Sequence, residues 1–181
     1  MSKHHRNRNW APAPQPLPED AHVIDNHTHV ASVVPFSQAM SHEAMEKGQG
    51  EVPVYSVDEL LEQAQKVGVE GVIDCGCELP NLMTAIDMAR EHPGTVHAAI
   101  AIHPNEAVLH GHRGAPGPDG LPIKYKPWHD IPFDEAMAEV HRLATTYPNQ
   151  VVAIGETGMD LFRTGESAKE LQREAFRAHI A

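Results

Sequence analysis

Val23-Ile24-Asp25-Asn26-His27-Thr28-His29-Val30 decides how the rest of the 181-residue chain is read. Valine and isoleucine lead into polar residues at strand spacing, where successive side chains alternate between faces. Val23, Asp25, His27 and His29 then share one face of an extended strand, while Ile24, Asn26, Thr28 and Val30 take the other. Two imidazoles on one face can converge on a single cation, the ordinary work of neutral histidine. Asp25 is placed to orient or neutralise such a site from behind the ligands. The alternative is a pair of surface histidines in a chain that carries 14 of them.

Outward from this stretch, strand and helix alternate. Ser56-Val57-Asp58-Glu59 is a capping box, and Leu60, Leu61, Ala64 and Val67 form an apolar stripe up to Gly68, which predicts a helix over 57–67. Residues 69–77 are nearly continuously apolar, as a strand covered on both faces should be. Pro80 opens a second helix with Leu82, Ala85, Ile86 and Ala89 inward, and His92-Pro93-Gly94 stops it. A third strand over 96–102 runs into His103-Pro104. A helix over 133–146 follows, with Met137, Val140, Leu143 and Ala144 inward, then a fourth strand over 151–156. Ser167-Ala168-Lys169-Glu170 is a second capping box, opening a helix through Leu171, Ala175 and Phe176.

Three segments lack this order. Residues 1–20 are basic and then proline-rich, an unstructured lead ahead of a domain over 21–181. Residues 31–53 show no apolar period and predict a loop with a short helix near 41–47. Residues 111–132 are rich in glycine and proline and hold Lys124, Tyr125, Lys126 and Trp128. That mixture suits stacking a base and pairing a phosphate, or equally a solvated insertion anchored by its tryptophan.

Strand alternating with helix argues for parallel strands joined by right-handed crossovers. Each apolar strand ends in a polar cluster: Asp25 to His29, Cys77-Glu78, His103 to Glu106, and Glu156 to Arg163. That repetition on one edge is the pattern of an α/β fold of (β/α) TIM-barrel type. A complete barrel takes roughly 250 residues, so about the first half, four strands with their helices, is expected here. A doubly wound sheet would place a glycine-rich phosphate loop after its first strand, where this chain has histidines.

Ile154-Gly155-Glu156-Thr157-Gly158-Met159-Asp160 adds a carboxylate at a strand end between two glycines, which let the backbone turn tightly and approach a ligand. With His27 and His29 it would make a mixed nitrogen and oxygen site for Zn, Mn or Mg, with Glu156 able to bridge two ions. Taken alone, Glu156 reads as a helix cap or as a partner for Arg163. The formal charge of -11 argues against a broad non-specific nucleic-acid surface. No apolar run approaches the roughly 20 residues of a membrane span, so no membrane partner is expected. The two cysteines, Cys75 and Cys77, and the lack of an apolar leader make a reducing cytoplasmic setting the default. Cys75-Gly76-Cys77 reads as two small residues on one face of a strand.

Together these stretches resemble the TatD family of metal-dependent nucleases, within the amidohydrolase-like barrels. The matching segments are Ile24 to His29, Ile102-His103-Pro104, Ile154 to Asp160, and the helix of Gln172 and Phe176. The resemblance implies two divalent metal ions held by His27, His29 and a bridging Glu156. Glu156 and Asp160 are its candidate catalytic carboxylates, His103 and Arg163 its candidate substrate contacts. It implies hydrolysis of nucleic-acid phosphodiester bonds, 3′–5′ exonuclease-like, with DNA as the expected substrate ahead of RNA. Family members carry further ligands, two histidines and an aspartate, on later strands that these residues do not include. A partial sequence that binds metal weakly and hydrolyses poorly alone is therefore expected. Asn26, Ala101 and Asn105 depart from the family pattern of a small residue, a glycine and a second histidine. Two other functions fit the residues. One is an amidohydrolase-like enzyme of small amides or esters, where a modified lysine often bridges the metals, although Glu156 ends the fourth strand here. The other is a non-catalytic half-barrel serving as an interaction surface.

Overall fold

The computed structural model describes residues 16–49, 53–113, 124–162 and 164–181. Strands β1 (Val23–Thr28), β2 (Val69–Gly76), β3 (Val96–Ile100) and β4 (Val151–Ile154) form one sheet in that order, every neighbouring pair parallel. Helices α1 (Val30–Glu46), α2 (Val57–Lys66), α3 (Leu79–Glu91), α4 (Pro104–Ala107), α5 (Phe133–Thr146) and α6 (Lys169–Ile180) join and follow them. Chain-order parallel neighbours with helical crossovers are the arrangement of a barrel wall, and among the described residues it comprises four strands.

The centre of this wall is well packed. Leu82, Ala85, Ile86 and Ala89 of α3 are buried against Val96, Ala98 and Ile100 of β3, and Ala136, Val140 and Leu143 of α5 complete the cluster. The α3 stripe is the one its sequence spacing predicts. Helix α2 starts on a formed capping box: the Glu59 N–H donates to Ser56 Oγ at 3.2 Å, and the Ser56 N–H donates to Glu59 Oε2 at 2.8 Å.

Residues 31–53 are not the loop expected, because α1 fills 30–46. Two features hide this helix from a local reading. Pro35 lies inside it, where a missing N–H and a ring clash cost about 3 kcal/mol. Its cap is tertiary: the Val30 N–H donates to Asp74 Oδ1 on β2, 44 residues away, at 2.5 Å. Burial pushes the Asp74 carboxyl up from its ordinary range, while the N–H groups of Val30 and Ala31 pull the other way.

Two further expectations change. Helix α6 does not take Ser167 as its N-cap; a 3-10 turn, Glu166–Ala168, precedes the helix, whose N-cap is Ala168 with no side-chain bond. Lys169 and Glu170 are turned instead to Glu166 and Arg173. The lead expected to be unstructured through residue 20 is tied down at its end, where the Leu17 N–H donates to the Val67 carbonyl at 2.8 Å. Leu17 also packs on Gly68, whose φ of +94 makes the turn from α2 into β2. Residues 1–15 lie outside the described residues.

Candidate metal centre

Strand β1 delivers its histidines by a route the simple alternation misses. Asp25 pairs with Val72 and Thr28 with Asp74, so three steps on β1 answer two on β2 and the strand bulges between them. Thr28 Oγ1 donates to the Ile73 carbonyl at 2.9 Å and pins the bulge. His29 lies just past the strand, at the N-cap of α1. Its Nδ1 donates to the Cys75 carbonyl at 3.1 Å, which fixes the tautomer and leaves Nε2 as the free lone pair. The rings of His27 and His29 sit 5.4 Å apart at 84°.

Both meet Glu156. His27 Nε2 contacts Glu156 Oε1 directly, and His29 Nε2 lies 3.8 Å from the same oxygen. The three ligand atoms fall within 4.8 Å of one another, which suits shared coordination of one ion. The residues fit a divalent metal in kind as well as in spacing, two imidazoles and a carboxylate. Exposure of 54% for His27, 46% for His29 and 25% for Glu156 leaves the centre open to further ligands and substrate. Of the two glycines expected to shape this turn, Gly158 has a φ of +128 that a side chain would strain, whereas a Cβ on Gly155 would meet open space.

The second oxygen of Glu156 has its own neighbours. His103, at the end of β3, places Nε2 3.5 Å from Oε2 while its Nδ1 accepts the Asn105 N–H at 3.1 Å. Cys77, at the end of β2, donates its thiol to Oε2 at 3.3 Å. Each strand end therefore brings a group to this carboxylate. The sequence marks Cys77 as a polar strand end but gives no sign of this contact, which depends on how four strands curve together. Burial pushes the Cys77 thiol well above its ordinary range; the adjacent Glu156 carboxylate adds to this, against the lowering effect of the Glu156 backbone.

The remaining candidates stand around this core. Asp25 Oδ1 accepts the His27 N–H at 3.1 Å and so braces the bulge. Asp160 has both oxygens engaged, Oδ2 by Asn105 Nδ2 at 2.6 Å and Oδ1 by the Phe162 N–H at 3.1 Å. Its backbone is clamped by the fully buried Gln172, which accepts from the Asp160 N–H and donates to its carbonyl, each at 3.0 Å. Arg163 lies outside the described residues. A cavity of about 410 Å³ opens beside His29, between the starts of α1 and α3, with Ser32, Asp74, Cys77 and Asn81 in its wall. In the 111–132 segment the anchor is His129 rather than Trp128: it is buried and pairs through Nε2 with Glu106 Oε2 at 2.6 Å, while Trp128 reaches the same oxygen at 3.3 Å. Residues 114–123 lie outside the described residues.

Fold and site together define a class: a barrel-type parallel sheet carrying a histidine and carboxylate metal constellation at the C-terminal ends of its strands. The family profile of TatD-related DNases matches residues 24–181, and the chain belongs to that family. It is 32% identical over 129 residues to a metal-dependent hydrolase named TatD from Mycobacterium tuberculosis, covering 69% of this chain and 39% of that protein. To a 3′–5′ ssDNA/RNA exonuclease TatD of Erwinia tasmaniensis it is 29% identical over 124 residues, 68% of this chain and 38% of the relative. Among solved structures, a TatD family hydrolase from Entamoeba histolytica superposes with a TM-score of 0.56 at 20% identity, over 87% of this chain and 44% of the other. An amidohydrolase from Saccharomyces cerevisiae gives 0.57 at 17% identity, over 88% and 43%. These two likenesses carry the TIM-barrel fold, of which the chain forms a part. The chain spans about two fifths of the length of the curated relatives it matches.

Proposed function

We propose that this protein is a metal-dependent hydrolase of nucleic-acid phosphodiester bonds, removing nucleotides from the 3′ end of DNA in preference to RNA. The observation that carries the reading is the convergence of His27, His29 and Glu156 on one point of an open strand-end mouth. The exonuclease name of the Erwinia relative supports the substrate class, and the Mycobacterium relative's name supports the metal. When bound, divalent ions supply a water acidic enough to attack near neutral pH and a counter-charge for the phosphoryl oxygens.

The chain's own residues supply the order around that chemistry. His27 and His29 hold two nitrogens toward Glu156 Oε1, with the His29 ring kept in plane by its bond to Cys75. Glu156 has a second oxygen through which it can serve two ions. His103, with Nδ1 occupied, offers Nε2–H to a phosphate oxygen above Glu156. Asp160 acts as support, bracing Asn105 and the turn that presents Glu156, and Arg163 pairs a substrate phosphate. Among the described residues three donors converge on this point, so weak metal binding and slow turnover are expected.

The test uses the metal-stripped chain at high concentration with Mg, Mn or Zn restored, on end-labelled single-stranded DNA, matching RNA and a small amide. Metal-dependent loss of nucleotides from the DNA 3′ end, abolished by Glu156→Gln with unchanged circular dichroism, is the expected result. Undiminished cleavage by Glu156→Gln, or a preference for the amide, would overturn the reading.

A further inference from the structure

We infer that Cys77 is an additional metal ligand of this centre, one that turns the Oε2 side of Glu156 toward thiophilic ions such as Zn or Co rather than Mg. The inference builds on the metal centre proposed above. An ion roughly 2.1 Å from a carboxylate oxygen and roughly 2.3 Å from a thiolate sulfur, at a tetrahedral angle, holds the two atoms about 3.6 Å apart. Cys77 Sγ and Glu156 Oε2 already stand 3.3 Å apart, so coordination needs a displacement of only a few tenths of an ångström.

The backbone around Cys77 is fixed. The His103 N–H donates to the Cys77 carbonyl at 3.0 Å. One residue earlier, a Cβ on Gly76 would meet the Asn81 carbonyl oxygen at 2.6 Å, so the end of β2 is pressed against the start of α3. A thiol held this rigidly beside a ligand carboxylate loses little freedom on binding. Cys77 also lines the cavity beside His29, which gives the displaced proton a path to solvent. The step balances: the S–H bond breaks, an S–metal bond forms, and one proton leaves for water. Sulfur is the softest donor in the set, and soft donors favour Zn and Co over Mg, whose preference is oxygen. Cys75 is the built-in control: it lies two residues earlier, on β2, and its carbonyl, which a Cys75→Ser change keeps, holds His29.

The test loads the purified chain with Co(II) and reads the near-ultraviolet thiolate-to-cobalt charge-transfer band. The band is expected in the wild-type chain and in Cys75→Ser, and lost in Cys77→Ser. In competition, the preference for Zn over Mn should fall by about tenfold or more in Cys77→Ser. A second measurement leaves Cys77 in place: in Cys75→Ser, where it is the remaining thiol, Zn should slow its reaction with a disulfide reagent. Cobalt bound with ligand-field bands but no charge-transfer band, or a band that survives Cys77→Ser, would overturn the inference while leaving the hydrolase reading intact. A charge-transfer band without phosphodiester cleavage would do the reverse. Failure of the wild-type chain to bind cobalt at all would remove both.

Discussion

The middle and the edges of the sheet are built for different purposes. Strands β2 and β3 lie between neighbours and under α3 and α5, and β3 is buried along almost its whole length. Among the described residues strands β1 and β4 each have one neighbour, and apolar side chains remain open on them, with Ile24 57% and Val152 52% exposed. The centre supplies the burial that holds the wall together. The edges carry His27, His29 and Glu156, and a metal centre needs reachable ligands more than it needs packing.

Mutations can break or sharpen that contrast. Ile100→Ala, fully buried at the C-terminal end of β3, is expected to cost about 2–5 kcal/mol, read as a lowered midpoint in urea unfolding. A loss under 1 kcal/mol would deny β3 its central role. Asp74→Ala joins the two regions, since Asp74 sits on β2 but caps α1 behind the site. A cost of about 1–2 kcal/mol is expected, together with weaker metal binding, because α1 begins at the residue after His29. Unchanged metal affinity would show that α1 does not position that ligand.

Acid should act through a buried and a half-buried imidazole outside the metal centre, His110 and His179. His179 of α6 accepts the Ile102 N–H on Nε2 at 3.0 Å, and burial lowers its proton affinity from the ordinary 6.5 although its bond to the Ala175 carbonyl opposes this. Burial lowers His110 in the same way, against its bond to Ile131. The unfolded chain therefore takes up these protons first, so their contribution is intact at neutral pH and is lost as pH falls below about 6.5 toward the lowered folded values. Urea unfolding at stepped pH should show this decline, and His179→Gln should flatten its own share; a stability that rises on acidification would contradict the assignment. The smallest effect belongs to the edge: Val152→Thr on β4 is expected to change stability by no more than about 0.5 kcal/mol. A larger loss would mean that the β4 face is covered in solution.

What could be read without coordinates followed the range of the forces involved. Helices α2, α3 and α5 carry their own instructions: a capping box at Ser56 and Glu59, a stripe from Leu82 to Ala89, and Phe133 through Leu143 at helical spacing. Strand alternating with helix was enough to point to a parallel wall of barrel type. Helix α1 was illegible because its cap comes from Asp74 on another strand, and Pro35 argues locally against it. Anchoring of the long insertion by His129 depends on Glu106, 23 residues before it.

By itself the sequence determined which groups were available and at which strand ends: two imidazoles, a glycine-flanked carboxylate and a histidine before proline. Only the tertiary structure decided that β1 bulges, that His103 and Cys77 share Glu156 Oε2, and that Asp160 spends both oxygens on Asn105 and its own turn. The reason is physical. Alternation, capping and apolar period act over a few residues and are written locally, whereas ligand geometry at a strand-end mouth depends on the curvature of four strands set by packing far along the chain.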